Sequence, residues 1–200
     1  WIIENDWLDC IVQLPDQMFF NTGISTYFWI VTNKKSSERK GKVQLIDGSS
    51  FYKEMKKSLG NKRKEISLEQ SDQLFNIYKS FEEGEFSKIY SNNFFGYTKV
   101  VIEQPLKEQG DLVTNKKGEL KPDSSKRDNE RVPLSDDINQ YFDTEVRPYL
   151  KDAWMDRSKD KIGYEINFTK YFYKFKSIKS VKEILTKLQI ISKEIEILEK

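Results

Sequence analysis

The sequence has 200 residues, of which 33% are charged, 37% hydrophobic and 14% aromatic, which is too polar for a membrane-embedded chain and too aromatic for a disordered one. No run nears the ~20 apolar residues that a spanning helix needs. Histidine is absent, which excludes histidine metal sites and histidine general bases, and the single Cys10 excludes an internal disulfide and fits a reducing cytosol.

The chain opens on Trp1 and shows no signal-peptide pattern, so it is expected to be a piece of a longer polypeptide. Leu8 to Leu14 is mostly apolar and reads as a strand ending at Pro15. Residues Asp16 to Ile24 follow as a loop. Ser25 to Thr32 is a second strand, aromatic and β-branched, and its apolar character on both faces predicts burial on both sides, as in an α/β sheet. Lys42 to Asp47 is a third strand. Lys34 to Lys64 holds eleven lysines and arginines against Glu38, Asp47 and Glu54, an excess suited to a phosphate backbone or equally to a solvated loop.

A helix is predicted from Ser67, which has capping-box spacing with Gln70, to a stop at Gly84, with Leu74, Ile77, Tyr78 and Phe81 on one face. Tyr97 to Ile102 reads as a strand. Residues 107–131 read as a linker or exposed hairpin. A second helix opens at Ser135 and ends at Pro148, with Ile138, Tyr141, Phe142 and Val146 apolar. Lys170 to Lys182 holds five lysines and no acid. Finally Val181, Ile184, Leu188, Ile191, Ile195 and Leu198 alternate steps of three and four, a seam that calls for a partner helix in this chain or another.

The residues offer no self-sufficient active site. Paired G-x-G turns, a Walker motif and a nucleophile elbow are all missing. Cys10 lies in an apolar strand, where cysteine behaves as a small hydrophobe. One constellation stands out: a strand ending at Pro15, a loop carrying Phe19 and Phe20, then a second strand. Loops at the carboxyl ends of strands bind ligands in open α/β sheets. An aromatic there can stack on a base taken out of the duplex, or pack beneath the loop.

Leu14-Pro-Asp-Gln-Met-Phe-Phe-Asn-Thr-Gly-Ile24 and the strand after it resemble a segment of the type I N6-adenine DNA methyltransferase (modification) subunit. Arg39 to Asp47, Lys57 to Arg63, Phe95 to Tyr97 and Glu103 to Leu106 follow in that family's order. So do Val132 to Ile138, Asp152 to Trp154, Lys161 to Ile166 and Phe168 to Tyr173. The resemblance implies an α/β fold: the last strands of a Rossmann-like methyltransferase sheet in residues 1–106, the linker 107–131, and a mostly helical C-terminal extension in 132–200. It implies that S-adenosylmethionine donates a methyl group to N6 of a flipped adenine in the complete subunit, with the cofactor loop and catalytic tetrapeptide outside these residues. This piece alone is therefore expected to be inactive. Phe19 matches the base-stacking aromatic, with Phe20 next. Lys62, Arg63, Lys64, Lys174 and Lys176 are candidate DNA contacts. Ile184, Leu188, Ile191 and Ile195 are candidates for docking a specificity subunit, in a cytoplasmic assembly that includes a restriction subunit. No metal is implied. The rival readings are a non-catalytic module that docks the specificity subunit, and a free-standing nucleic-acid binder that uses Lys34 to Lys64.

Overall fold

The computed structural model describes residues 1–175 and 180–198. They form two compact units, residues 1–168 and residues 169–200.

The first unit holds a mixed sheet in the order β2-β1-β3-β6, built from Leu8–Gln13 (β1), Tyr27–Val31 (β2), Lys42–Asp47 (β3) and Ser87–Ser91 (β6). β1 runs antiparallel to β2 and parallel to β3, and β3 is antiparallel to β6. The centre of the sheet is its core: Leu8, Cys10, Val12, Val43, Leu45 and Ile46 are almost fully buried. Leu68–Ser80 (α1) lays Leu74, Ile77 and Tyr78 on Cys10, Val12 and Ile46. The predicted capping box is present, with the Gln70 amide N–H donating to Ser67 Oγ at 3.3 Å and the Ser67 N–H donating to Gln70 Oε1 at 3.1 Å.

α1 ends earlier than its apolar face and Gly84 predict. The chain turns left-handed at Phe81 (φ 50°), whose ring lies 4.2 Å from the Arg39 guanidinium carbon. Arg39 also donates to the Tyr78 carbonyl, and Gln44 Nε2 donates to the Ile77 carbonyl at 3.0 Å. Two carbonyls that the last helical turn leaves open are thus satisfied from the sheet side. Arg39 Nη1 reaches Asp9 Oδ2 at 3.3 Å, and the Tyr78 hydroxyl donates to the same oxygen at 2.6 Å. The β1–β2 register shifts between Leu8 and Cys10, at Asp9, as bulges do where a side chain is re-aimed.

The expectation that residues 25–32 are buried on both sides is corrected. Tyr27, Phe28, Trp29 and Val31 are all exposed, because β2 is the edge strand and only β1 pairs with it.

Two further strands form a ribbon, Lys53–Leu59 (β4) with Lys62–Glu65 (β5). Gly96–Glu103 (β7) does not join the first sheet. It is the middle of an antiparallel sheet between Asp128–Pro133 (β10) and Trp154–Tyr164 (β11). Val100, Ile102 and Val132 bury against Phe142 and Val146. These last two lie on a π-helical turn, Phe142–Val146, that continues Ile138–Tyr141 (α2). The cap of α2 is Asp137 rather than Ser135, its side chain accepting from the Gln140 N–H at 2.9 Å. Residues 107–131 are mostly exposed and carry the short hairpin Lys107–Glu108 (β8) with Asp111–Leu112 (β9). The region 132–200 is mixed rather than mostly helical, since β11 alone supplies eleven residues of strand against β7.

Phe168–Phe172 (α3) leads into the second unit, where Val181–Leu198 (α4) is a helix of 18 residues. The Glu183 N–H donates to Ser180 Oγ at 3.3 Å and the Ser180 N–H to Glu183 Oε2 at 2.9 Å, a second capping box. No helix of the described residues is long and apolar enough to cross a membrane.

Candidate nucleic-acid interface

The loop after β1 leaves the sheet at Pro15 and returns through Thr26, whose carbonyl accepts from the Leu14 N–H at 2.8 Å. Between them the backbone turns left-handed at Gln17 (φ 56°). Phe19 pairs with Thr22 in an isolated β-bridge, a tight loop that turns both phenylalanines outward. Phe19 is 45% exposed and Phe20 57%. Each residue thus presents about half of its surface to solvent.

What holds this loop is the β4–β5 ribbon, more than forty residues downstream. The Asn61 N–H donates to the Phe20 carbonyl at 3.0 Å. The Arg63 and Lys64 N–H groups both donate to the Gln17 carbonyl, at 2.9 and 3.3 Å. The Lys64 ammonium pairs with Asp16 and sits 3.9 Å over the Tyr52 ring. That hydrogen bond to Asp16 holds the lysine above its ordinary pKa. Lys62 lies 6.0 Å from the Phe20 ring centroid, at the limit of a cation–π contact. Gly60 has φ +61°, and a Cβ there would sit 2.9 Å from the Phe20 carbonyl oxygen.

The fold therefore brings together two sets of residues singled out separately, the phenylalanines at 19 and 20 and the cations at 62, 63 and 64. The ribbon adds Lys53, Lys56 and Lys57, with only Glu54 and Glu65 opposing. Arg63 is exposed, and Lys62 and Lys64 are half-buried. Exposed rings beside a basic ribbon offer a stacking surface next to a phosphate track. The sequence reading missed Asp16, Gln17, Gly60 and Asn61. A signal was present: Gly60-Asn61 between two runs is a two-residue hairpin turn. Alternation is lost in the charged flanks, and that hid the strands.

Lys174 is exposed in the second unit, and Lys176 lies outside the described residues. On α4, Ile184, Leu188, Ile191 and Ile195 are all exposed, between 44% and 55%. Cys10 is buried, and burial pushes its thiol pKa far upward, with the Asp9 carboxylate adding to the shift. Both effects disfavour the thiolate that a nucleophile requires. Among the described residues no group of three or more His, Cys, Asp or Glu is placed to hold a metal.

Four of the glycines are closed to a cofactor such as S-adenosylmethionine. A cofactor turn needs glycines whose missing Cβ leaves room for the ligand. Gly48, Gly60, Gly96 and Gly163 are instead closed by the chain itself, against Gln13, Phe20, Leu134 and Tyr97. Gly23, Gly41, Gly84, Gly110 and Gly118 have no atom within 4 Å of where a Cβ would stand, and no two of them are spaced as a G-x-G turn.

Comparison with known proteins identifies the family that the chain resembles. The model of the N-6 DNA Methylase family matches residues 1–115. The MjaIX methylase subunit of a type I restriction enzyme from Methanocaldococcus jannaschii is 28% identical over 56% of this chain and 19% of its own length. The MjaVIII methylase subunit from the same organism is 24% identical over 74% of this chain and 26% of its own. The MpnII methylase subunit from Mycoplasma pneumoniae is 30% identical over 44% of this chain and 15% of its own. A solved type I restriction-modification methyltransferase subunit from Streptococcus thermophilus aligns over 47% of this chain and 19% of its own, at 25% identity and TM-score 0.40. The chain thus spans about a quarter or less of the relatives it matches.

Proposed function

The chain belongs to the N-6 DNA methylase family, and from that premise we propose that it is the C-terminal portion of a type I restriction-modification DNA methyltransferase subunit. In this reading the complete subunit transfers a methyl group to N6 of adenine in DNA. S-adenosylmethionine supplies that methyl group, and the residues that bind it and the catalytic residues lie outside this sequence. The work of this portion is to hold the DNA and the extruded base. Phe19 stacks on the flipped adenine, with Phe20 flanking it, and Lys62 and Arg63 meet the phosphates beside it, while the expected contact from Lys64 is taken up by Asp16. Lys174 and Lys176 add DNA contacts from the second unit. Stacking of a base on an aromatic contributes ~1–3 kcal/mol. It lowers the cost of extrusion without entering the chemistry.

The observation that carries this reading is the juxtaposition of exposed phenylalanines and a basic ribbon on one loop pair. A second observation supports a larger sheet. β2 is an exposed, apolar edge strand, the kind that folded proteins cover. In the complete subunit its free edge takes another strand, as the end of a Rossmann-like sheet would. The test is Phe19→Ala in the full-length subunit assembled with its partners. Methylation slows about tenfold, from a stacking loss of ~1.4 kcal/mol. Unchanged methylation kinetics and DNA affinity would remove Phe19 from this role.

A second reading rests on α4. Its apolar seam is exposed, and a helix of this length is marginal without a partner. Here the chain docks a specificity subunit through Ile184, Leu188, Ile191 and Ile195, as part of a cytoplasmic assembly with a restriction subunit. Leu188→Glu with Ile191→Glu blocks complex formation and leaves the first unit folded. A complex that survives both substitutions refutes this docking surface.

A further inference from the structure

We propose that the β4–β5 ribbon is the positioning element of the Phe19–Phe20 loop, with Asp16, Lys64 and Gly60 as its positioning residues, so that contact of the ribbon with the DNA backbone sets where the aromatic rings stand. This rests on the reading of Phe19 as the base-stacking residue and names what orients it.

Three observations carry it independently. The loop's carbonyls at Gln17 and Phe20 accept their hydrogen bonds from the ribbon. A backbone held this way moves with its donor. The turn of the ribbon meets the loop so closely that only glycine fits, since any Cβ at residue 60 lies 2.9 Å from the Phe20 carbonyl oxygen. Gly60 also has the positive φ that other residues adopt at a cost. Finally, the charges on the ribbon divide into two groups. The Lys64 side chain is only 16% exposed and its ammonium is engaged by Asp16 and the Tyr52 ring, so in this arrangement it closes the loop onto the ribbon. Arg63 stays exposed, free to meet phosphate while its own N–H holds Gln17. One residue thus joins the DNA-facing surface to the loop that carries the rings.

The division of charge separates positioning from binding. Asp16→Asn weakens the loop–ribbon ion pair and frees the Lys64 ammonium, so DNA affinity and its salt dependence hold or rise. Extrusion and turnover fall, because the rings lose their placement. A misplacement of about an ångström near reacting groups can cost up to about a hundredfold in rate. A loop loosened at one of its several anchors is expected to lose about tenfold in kcat with KM little changed. Gly60→Ala acts on the same loop by a different route and gives the same split.

The experiment uses the full-length subunit with its partners and a duplex carrying 2-aminopurine in place of the methylated adenine. The fluorescence rise on extrusion, DNA affinity at several salt concentrations, and kcat and KM on unmodified duplex are measured for Asp16→Asn, Gly60→Ala and Phe19→Ala. The expected result is a reduced fluorescence rise and reduced kcat in all three, with DNA affinity kept in Asp16→Asn. Full extrusion and kcat in both Asp16→Asn and Gly60→Ala, beside an impaired Phe19→Ala, overturns the positioning role alone. An unimpaired Phe19→Ala overturns the stacking reading and this proposal with it. Loss of DNA affinity in Asp16→Asn equal to its loss of kcat also overturns it, because the residue then acts on binding.

Discussion

Arg39 closes the C-terminal end of α1 onto the sheet, and its removal tests how that layer is held. Its guanidinium pairs with Asp9, whose side chain is 2% exposed, donates to the Tyr78 carbonyl and to Gln44 Oε1, and lies 4.3 and 4.2 Å from the rings of Tyr78 and Phe81. Arg39→Met keeps an unbranched apolar stem, shorter than arginine's, and removes the charge and the guanidinium donors. Asp9 then keeps one donor, the Tyr78 hydroxyl, and its other oxygen already has none. Breaking a buried pair in this way costs about 3–5 kcal/mol, because an uncompensated carboxylate stays in the core. For a chain of this size each kcal/mol is ~2–4 °C in Tm, so a drop on the order of 10 °C is expected. Urea unfolding followed by tryptophan fluorescence reads it, since Trp7 immediately precedes β1 and Trp29 lies on its neighbour β2. Adding Asp9→Asn removes the stranded charge while the amide oxygen still accepts from Tyr78, and should recover more than half of the loss. A single-substitution cost below about 1 kcal/mol, or a double variant no better than Arg39→Met, refutes the reasoning.

Other consequences follow from the same structure. Native Cys10 should resist alkylation by iodoacetamide near neutral pH, because burial and the neighbouring Asp9 both disfavour its thiolate; modification that outpaces global unfolding would contradict this. The Tyr78 hydroxyl, partly buried and donating to Asp9, has its pKa pushed up to about 12, above its ordinary value of 10.0. The folded state holds that proton more tightly, so the stabilisation is fully present below pH 10 and is lost as pH rises towards 12. Stability measured across that window should fall less steeply in Tyr78→Phe than in the wild type, and equal slopes would exclude the linkage. Arg63→Ala in the full-length assembly should weaken DNA binding alike for all sequences and lower the salt slope by about 1, as one lost phosphate contact does; an unchanged slope would remove Arg63 from the phosphate track.

Local chemistry was legible in the sequence wherever a short-range rule decides the outcome. β1, β3 and β7 follow from β-branched runs, and the Ser67–Gln70 box and the Asp-rich start of α2 mark helix beginnings. The loop carrying Phe19 and Phe20 was legible as a candidate site because a strand end, a proline and two aromatics fall together within a dozen residues. The α4 seam was legible because its spacing is a property of one helix. Where two elements had to meet, the sequence was silent. The apolar faces of β2 predict burial on both sides, yet burial depends on neighbours, and β2 has only one. The charged strands β4 and β5 carry no apolar alternation, since a ribbon that faces solvent has no core side to record.

The amino-acid sequence by itself therefore determined the mixed α/β character, the starts of fewer than half of the helices and strands and the residues worth testing, because propensity, capping and periodicity act over a few bonds. Only the tertiary structure decided that β7 leaves the first sheet for β10 and β11, that Asp9 and Arg39 meet across 30 residues, and that Asn61 and Arg63 hold the loop of Phe20 and Gln17. Those pairings are set by which surfaces exclude water together and which buried donors find acceptors, and that is a property of the folded chain as a whole.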